Sequence, residues 1–340
     1  MVSQAPSIIL LFISNSDMKI VLKIALLFGL LLAMAWHYQS SDVYKQYLWA
    51  EADQTFQVEK VKNCDVVYTS ASSNFSQAAH DNDMRKISQM MEAQLNEKSV
   101  EAFNIPGSHA GTHKLLLKLI PENSRIKTAV VTVNMRSFGL DWRYSELETP
   151  QNKRNVMYAK RPALLNRFLV SLNAYDNKSP IEREQEKLDL WETTPLPFEA
   201  PRSNVKQWFE VEKWGDWRQP KRQLADQFIK QYAFVLDDEN PRIKDFEAIT
   251  TLCKERDWKL VFHILPENIE RTVELVDKDL ADLMQQNAAW FTNKFEAEGI
   301  TVVNNISLLP DSCFTDRDFP TEHYNDLGRM AIAKEIAKAI

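Results

Sequence analysis

A serine cluster and one histidine far along the chain are the residues whose types and settings suit covalent chemistry. The apolar run Val66-Val67-Tyr68-Thr69 stops abruptly at Ser70-Ala71-Ser72-Ser73. A hydroxyl placed just beyond a strand of an open α/β sheet sits where such sheets carry their chemistry. A serine nucleophile needs a histidine base, a group that orients the base, and donors for a developing oxyanion. Of the six histidines, His323 has the most suitable setting, in Thr321-Glu322-His323-Tyr324-Asn325-Asp326-Leu327-Gly328-Arg329. Gly107, in Asn104-Ile105-Pro106-Gly107, and Asn134, after Val131-Thr132-Val133, follow two further apolar runs and are plausible further parts of such a site. For the acid, Asp318, Asp316 and Glu322 are the carboxylates nearest His323. Asp318 is the expected partner, because Pro320 can fold it back towards the imidazole. Glu322 is adjacent in sequence and is expected to point elsewhere. Ser73 stands next to Ser72 as an alternative nucleophile.

These residues hang on a clear rhythm. Val66–Thr69 reads as a buried strand, and Met84–Leu95 as a helix with Ile87, Met90, Met91 and Leu95 on one face. Val100–Ile105 reads as a strand, Leu115–Ile120 continues a helix, and Thr128–Val133 is a third strand. Alternation at this spacing implies βαβ units and a parallel sheet. The rhythm breaks at about 140–240, where charged helical stretches (Asn155–Ala174 and Ile181–Leu190) lead into a link rich in proline and tryptophan. Trp191, Trp208, Trp214 and Trp217 there either stack sugar rings or pin a long loop to the fold. The alternation then resumes: helix Pro241–Arg256, strand Trp258–Leu265, helix Val273–Glu298, strand Ile300–Val303 and closing helix Asp326–Ile340. The whole reads as one α/β unit over 39–340 that carries a long, mostly helical insertion.

Composition narrows the function classes. A net charge of −6 gives no electrostatic case for nucleic acid. Seven glycines and no P-loop spacing argue against a phosphate-cradling loop. Cys64, Cys253 and Cys313 form no disulfide framework and contain no CxxC pair; one bridge or three buried thiols would fit them. His109 and His113 lie four apart and could join His323 around a metal, but no HExxH accompanies them and turn polarity accounts for both. His263, inside an apolar strand, reads as a hydrogen-bonded core residue. No metal and no cofactor are expected.

Residues 1–38 carry a targeting signal. Met18-Lys19-Ile20-Val21-Leu22-Lys23 is basic, Ile24–Leu32 is unbroken and apolar, and Ala33-Met34-Ala35 offers small residues at a cleavage site. That is the layout of a signal peptide. Counted from Ile20 to Trp36 it nearly reaches the length of a membrane span. Trp36, His37 and Tyr38 extend it with interface-favouring side chains and tilt the reading towards a retained anchor. Either way the remainder is expected outside the cytoplasm.

The serine, glycine, asparagine and histidine blocks, in this order, resemble the SGNH (GDSL-like) hydrolase superfamily. Ser70-Ala71-Ser72 matches that family's Gly-Asp-Ser, Gly107 its second block, Asn134 its third, and His323 with the downstream Gly328 its last. Pro266-Glu267-Asn268 is further similar to membrane-anchored members in cell-envelope polymer acylation, such as the D-alanine-transfer and alginate O-acetylation proteins. The sequence departs from the pattern at Ser70 and Ala71, and at Pro320, where the family's Asp-x-x-His has its acid. The resemblance implies a doubly wound, three-layer parallel sheet of the flavodoxin type. It implies Ser72 as nucleophile, His323 as base, and Gly107 and Asn134 in the oxyanion hole. The implied activity is that of an exported serine esterase or acyltransferase acting on O-acyl groups of envelope glycans or related esters. Its partners would be the ester substrate, the membrane and a membrane acyltransferase. The other reading is a non-catalytic envelope protein that keeps this fold and binds glycan or assists assembly.

Overall fold

The computed structural model describes residues 15–51, 58–211, 220–316 and 319–340. Five strands form one parallel sheet: β1 (Val66–Ser70), β2 (Val100–Asn104), β3 (Thr128–Val133), β4 (Lys259–Ile264) and β5 (Thr301–Asn304), in the order β2-β1-β3-β4-β5. Every residue of β1 and β3 is buried, while the edge strands β2 and β5 are partly exposed. This is why β1 and β3 read as unbroken β-branched runs: a central parallel strand is covered on both faces.

Side-chain alternation builds two cores from the same strands. Val67, Ala129, Val131, Val133, Phe262 and Ile264 face helices Ala110–Leu119, Pro241–Glu255 and Lys278–Ala297. Phe246, Phe262, Phe291 and Phe295 interlock there, with ring centroids as close as 4.6 Å. Val66, Tyr68, Val130 and Val261 face the other way, onto helices Ile87–Glu92 and Asp326–Ala339. The chain moves one way along the sheet from β1 to β2 and the other way from β2 through β3 and β4 to β5. Right-handed crossovers in opposite directions put their helices on opposite faces. The expected doubly wound α/β sheet is therefore the observed one. Its order reverses between β1 and β3, the switch point at which such sheets bind ligands.

Between β3 and β4 the chain runs through a series of helices. Trp191 and Trp208 are buried in a third apolar cluster with Phe228, Tyr232, Leu275 and Leu280, so these two pin the segment to the fold. Trp214 and Trp217 lie outside the described residues. Two helices expected as single pieces are each split. Pro162 separates Thr149–Met157 from Ala163–Ser171, because proline disfavours the helical conformation in the residue before it. Asp277 caps a new helix by accepting from the Leu280 amide, which divides Ile269–Leu275 from Lys278–Ala297. All three cysteines are free and buried. At the N-terminus, helix Asn15–Ser40 includes Met18–Ser40, which is long and apolar enough by length and composition to cross a membrane, with a mean hydropathy of 2.2.

Candidate active site

β1 ends at Ser70, and the chain turns at once into a short 3-10 helix, Ser72–Asn74. Its members face three ways. Asn74 points inward, accepting from the Ser88 amide and donating to Asn104 Oδ1, which ties the turn to the end of β2. Ser73 is buried, with its Oγ 3.2 Å from Ser70 Oγ. Ser72 is left half-exposed at the carboxyl edge of the sheet. Its Oγ lies 2.9 Å from His323 Nε2, within proton-transfer reach. On the other side of the ring, Nδ1 lies 3.2 Å from Asp316 Oδ2. With the proton on Nδ1, His323 donates to Asp316, and Nε2 is free to accept from the Ser72 hydroxyl.

Among the described residues, Asp316 is thus the carboxylate that meets the imidazole. Its side chain is 45% exposed, and Thr321 Oγ1 also donates to it. Asp318, the expected partner, lies outside the described residues. The Asp316 pairing follows from a feature hidden in the sequence. Phe314 and Tyr324 form an antiparallel bridge, and the Thr315 amide donates to His323 O, so the chain doubles back between them. Asp316 is thereby brought alongside His323, seven residues ahead rather than three. Tyr324 anchors this turn by donating to Pro266 O at 2.9 Å.

The closing helix holds the turn in place. Asn325 caps helix Asp326–Ala339 by accepting from the Gly328 amide. A Cβ on Gly328 would stand 3.0 Å from Tyr324 Cβ, so glycine is what lets the helix approach this closely. Arg329 is fully buried. It pairs with Asp81 and donates to the carbonyls of Ser76, Asp83, Arg85 and Tyr324. One guanidinium therefore clamps the loop after Ser72 to the segment that carries His323. Sequence reading did not single it out. Its only signal was a large charged residue on the apolar face of a helix.

The other two candidates follow the strands on either side of β1. β1 pairs with β2 as far as Ser70 and Asn104 and with β3 as far as Thr69 and Val131, so Gly107 and Asn134 each follow a strand that adjoins β1. Gly107 has φ 66° in the turn after β2, a left-handed backbone that suits glycine. Ser108 Oγ and the Ile105 amide both donate to Ser70 O, which holds that turn beside β1. Asn134 is buried, and its Oδ1 has no hydrogen-bond partner among the described residues.

Three other histidines, His109, His113 and His263, are occupied elsewhere. His109 caps helix Ala110–Leu119 by accepting from the Gly111 amide, and His113 meets Thr132 Oγ1. His263 sits in the core between Tyr68 and Asn305. Burial lowers the pKa of all three, to about 3 for His113 and His263. Among the described residues, no cluster of histidine, cysteine and carboxylate side chains could hold a metal ion.

A buried polar network lies behind the base. Arg136 Nε and Nη2 donate to Glu322 at 2.5 and 2.6 Å, and Nη1 donates to Gln231 at 2.9 Å. Glu322 does turn away from the site. Tyr232 donates to Glu267 Oε2, and Glu267 has its pKa pushed well above the ordinary glutamate range by burial and by the Glu322 charge. Arg136 offsets the Glu322 charge, and burial favours the neutral form of Glu267. A proton bound more tightly in the folded state stabilises the fold at low pH. That stability is lost as pH rises from the unfolded pKa, near 4.3, towards the raised one. Glu267→Gln removes the titration. Urea midpoints from pH 5 to 9 should show the wild type losing up to about 1.4 kcal/mol per pH unit relative to this variant. Parallel pH curves would refute the buried neutral carboxyl.

No protein-family model and no curated protein match this chain. Solved structures do. A GDSL-like lipase from Bacteroides thetaiotaomicron matches at 10% identity and a TM-score of 0.33, over 87% of this chain and 96% of that one. A lipase/acylhydrolase from Enterococcus faecalis matches at 11% identity and a TM-score of 0.35, over 81% and 94%.

Proposed function

We propose that the chain is a membrane-tethered serine esterase or acyltransferase of the SGNH type, acting outside the cytoplasm on O-acyl groups of envelope glycans. The observation that carries the reading is the relay Ser72 Oγ, His323, Asp316 at the switch point of a parallel sheet. Ser72 Oγ attacks the acyl carbonyl while His323 Nε2 takes its proton. The Ser72 and Gly107 amides and the Asn134 side-chain amide receive the oxyanion. His323 returns the proton to the departing alcohol, leaving an acyl group on Ser72. Water then releases the acid, or a sugar hydroxyl accepts the acyl group. Asp316 holds the Nδ1–H tautomer throughout.

A hydroxyl-rich substrate is supported by a cavity of about 510 Å³ between helices Pro220–Tyr232 and Ile269–Leu275. Lys221, Gln223, Gln227, Arg271 and Glu274 line it, together with Phe319 from the turn that joins Asp316 to His323. The size suits a small ligand; the polar groups suit sugar hydroxyls, and Pro220, Leu224, Leu275 and Phe319 add an apolar surface for ring faces. The test uses two substrates. Wild-type protein should hydrolyse p-nitrophenyl acetate and an O-acetylated oligosaccharide. The double variant Gln223→Ala/Gln227→Ala should raise KM about 10-fold for the oligosaccharide, the equivalent of roughly 1.4 kcal/mol, and leave the small ester unchanged. No turnover of either substrate, together with glycan binding by the wild type, would favour a non-catalytic binding protein.

A further inference from the structure

Helix Ala163–Ser171 buries Ala163, Asn166 and Val170, yet it leaves a second apolar stripe bare. Leu165, Phe168 and Leu172 are 42%, 57% and 60% exposed. Their spacing puts them along one helical face. Two independent features say what covers that face. First, the helix packs against helix Asn15–Ser40, where Ala35 is buried and Tyr38 half-buried near the C-terminal end of the apolar span. That end is ringed by aromatics. Tyr38 and Tyr44 have centroids 5.1 Å apart, Tyr47 lies under Arg167 at 3.9 Å, and Trp36 is exposed. Tyrosine and tryptophan collect at the headgroup level of a bilayer. Second, residues 150–175 contain Lys153, Arg154, Lys160, Arg161 and Arg167 and no Asp or Glu, in a chain of net charge −6. Lys160, Arg161 and Arg167 are exposed beside the apolar stripe.

We infer that helix Ala163–Ser171 lies flat in the headgroup boundary of an anionic lipid bilayer, with Leu165, Phe168 and Leu172 dipping into the acyl region. The inference rests on the reading of Met18–Ser40 as a retained anchor. A basic helix with leucine and phenylalanine on its other face is the pattern of an interfacial helix. The anchor alone gives the chain one point of attachment to the membrane. A second contact fixes its orientation, so that the site is held at a constant height and facing one way over the membrane. Exposed lysine and arginine near an anionic surface add to the hold.

The full chain, reconstituted in vesicles of phosphatidylcholine and phosphatidylglycerol, gives the test. Nitroxide labels are placed singly at Leu165→Cys, Phe168→Cys, Leu27→Cys and Glu298→Cys; the native cysteines are buried and stay unlabelled. Collision with oxygen is compared with collision with a water-soluble nickel chelate. The oxygen-to-nickel ratio at Leu165 and Phe168 should be several-fold that at Glu298, and Leu27 should be higher still. A lipid-buried Leu27 with Leu165 and Phe168 matching Glu298 would overturn the inference and leave the anchor standing. A Leu27 that matches Glu298 would remove the anchor and the inference together. In vesicles of phosphatidylcholine alone, the ratio at Leu165 and Phe168 should fall towards that of Glu298; an unchanged ratio would overturn the anionic preference.

Discussion

Ser72→Ala is expected to lower ester hydrolysis by roughly 10⁴- to 10⁶-fold and to abolish labelling by a fluorophosphonate probe. Ser73→Ala should leave most activity, because Ser73 is buried against Ser70 and has no path to an acyl group. His323→Ala should cost about as much as Ser72→Ala. The double variant should lose little more than either, since members of one catalytic unit are not additive. Asp316→Asn should cost less, on the order of 10- to 100-fold, below the largest losses known for a buried triad acid. Its side chain is 45% exposed, and water screens its charge and competes for the imidazole N–H. Asn134→Ala removes one proposed oxyanion donor and should lower kcat by about 10²-fold or more. The measurements are kcat and KM on p-nitrophenyl acetate, with probe labelling read on a gel. Undiminished labelling in Ser72→Ala would place the nucleophile elsewhere. A wild type that takes no probe while the Ser72 and His323 variants still function in the cell would support the non-catalytic reading.

The parts of this arrangement that were legible in the sequence are those set by burial and by strand ends. β1 and β3 are covered on both faces, so their sequences are continuous and β-branched, and the residue after each strand is where a parallel sheet exposes its chemistry. Ser72, Gly107 and Asn134 could be placed on that logic. The contact of Ser72 with His323 depends on the closing helix reaching back across the sheet, and alternation of strands and helices implies as much. Which of the candidate acids faces His323 was not legible. Asp316 meets His323 only because Phe314 and Tyr324 pair across a turn, and a two-residue bridge leaves no periodic trace. The same limit hid Arg329, whose partners are mainly carbonyls of a distant loop. Helix breaks at Pro162 and Asp277 were missed for a simpler reason. Apolar spacing continued across them, and only the cap chemistry marks the boundary. Glu322 was rightly read as turned away from the site, but its partner Arg136, 186 residues earlier, is a matter of topology.

The Arg136–Glu322 pair is the second place where a large effect is expected. Arg136 lies in the short 3-10 helix Met135–Phe138 just after β3, and Glu322 directly precedes His323, so the pair fastens the base to the sheet's carboxyl edge. Both side chains are under 10% exposed. Burial disfavours the Arg136 charge, yet the Glu322 carboxylate beside it raises the guanidinium pKa. Arg136→Met leaves an unpaired carboxylate in the interior and should cost about 3–5 kcal/mol of folding stability. Arg136→Met/Glu322→Met replaces both charges with apolar volume and should recover most of that loss, since a well-packed apolar pair often matches a buried ion pair. Recovery of the fold should not bring recovery of activity. Without the two-point hydrogen bond, the His323 segment is free to shift, and a displacement of about 1 Å at a reacting group can cost on the order of 10²-fold. The double variant should therefore unfold in urea near the wild-type midpoint and still take the fluorophosphonate probe roughly 10- to 100-fold more slowly. If its labelling rate returns with its stability, the ion pair supports only the fold, and the turn anchored by Tyr324 is sufficient to hold the base.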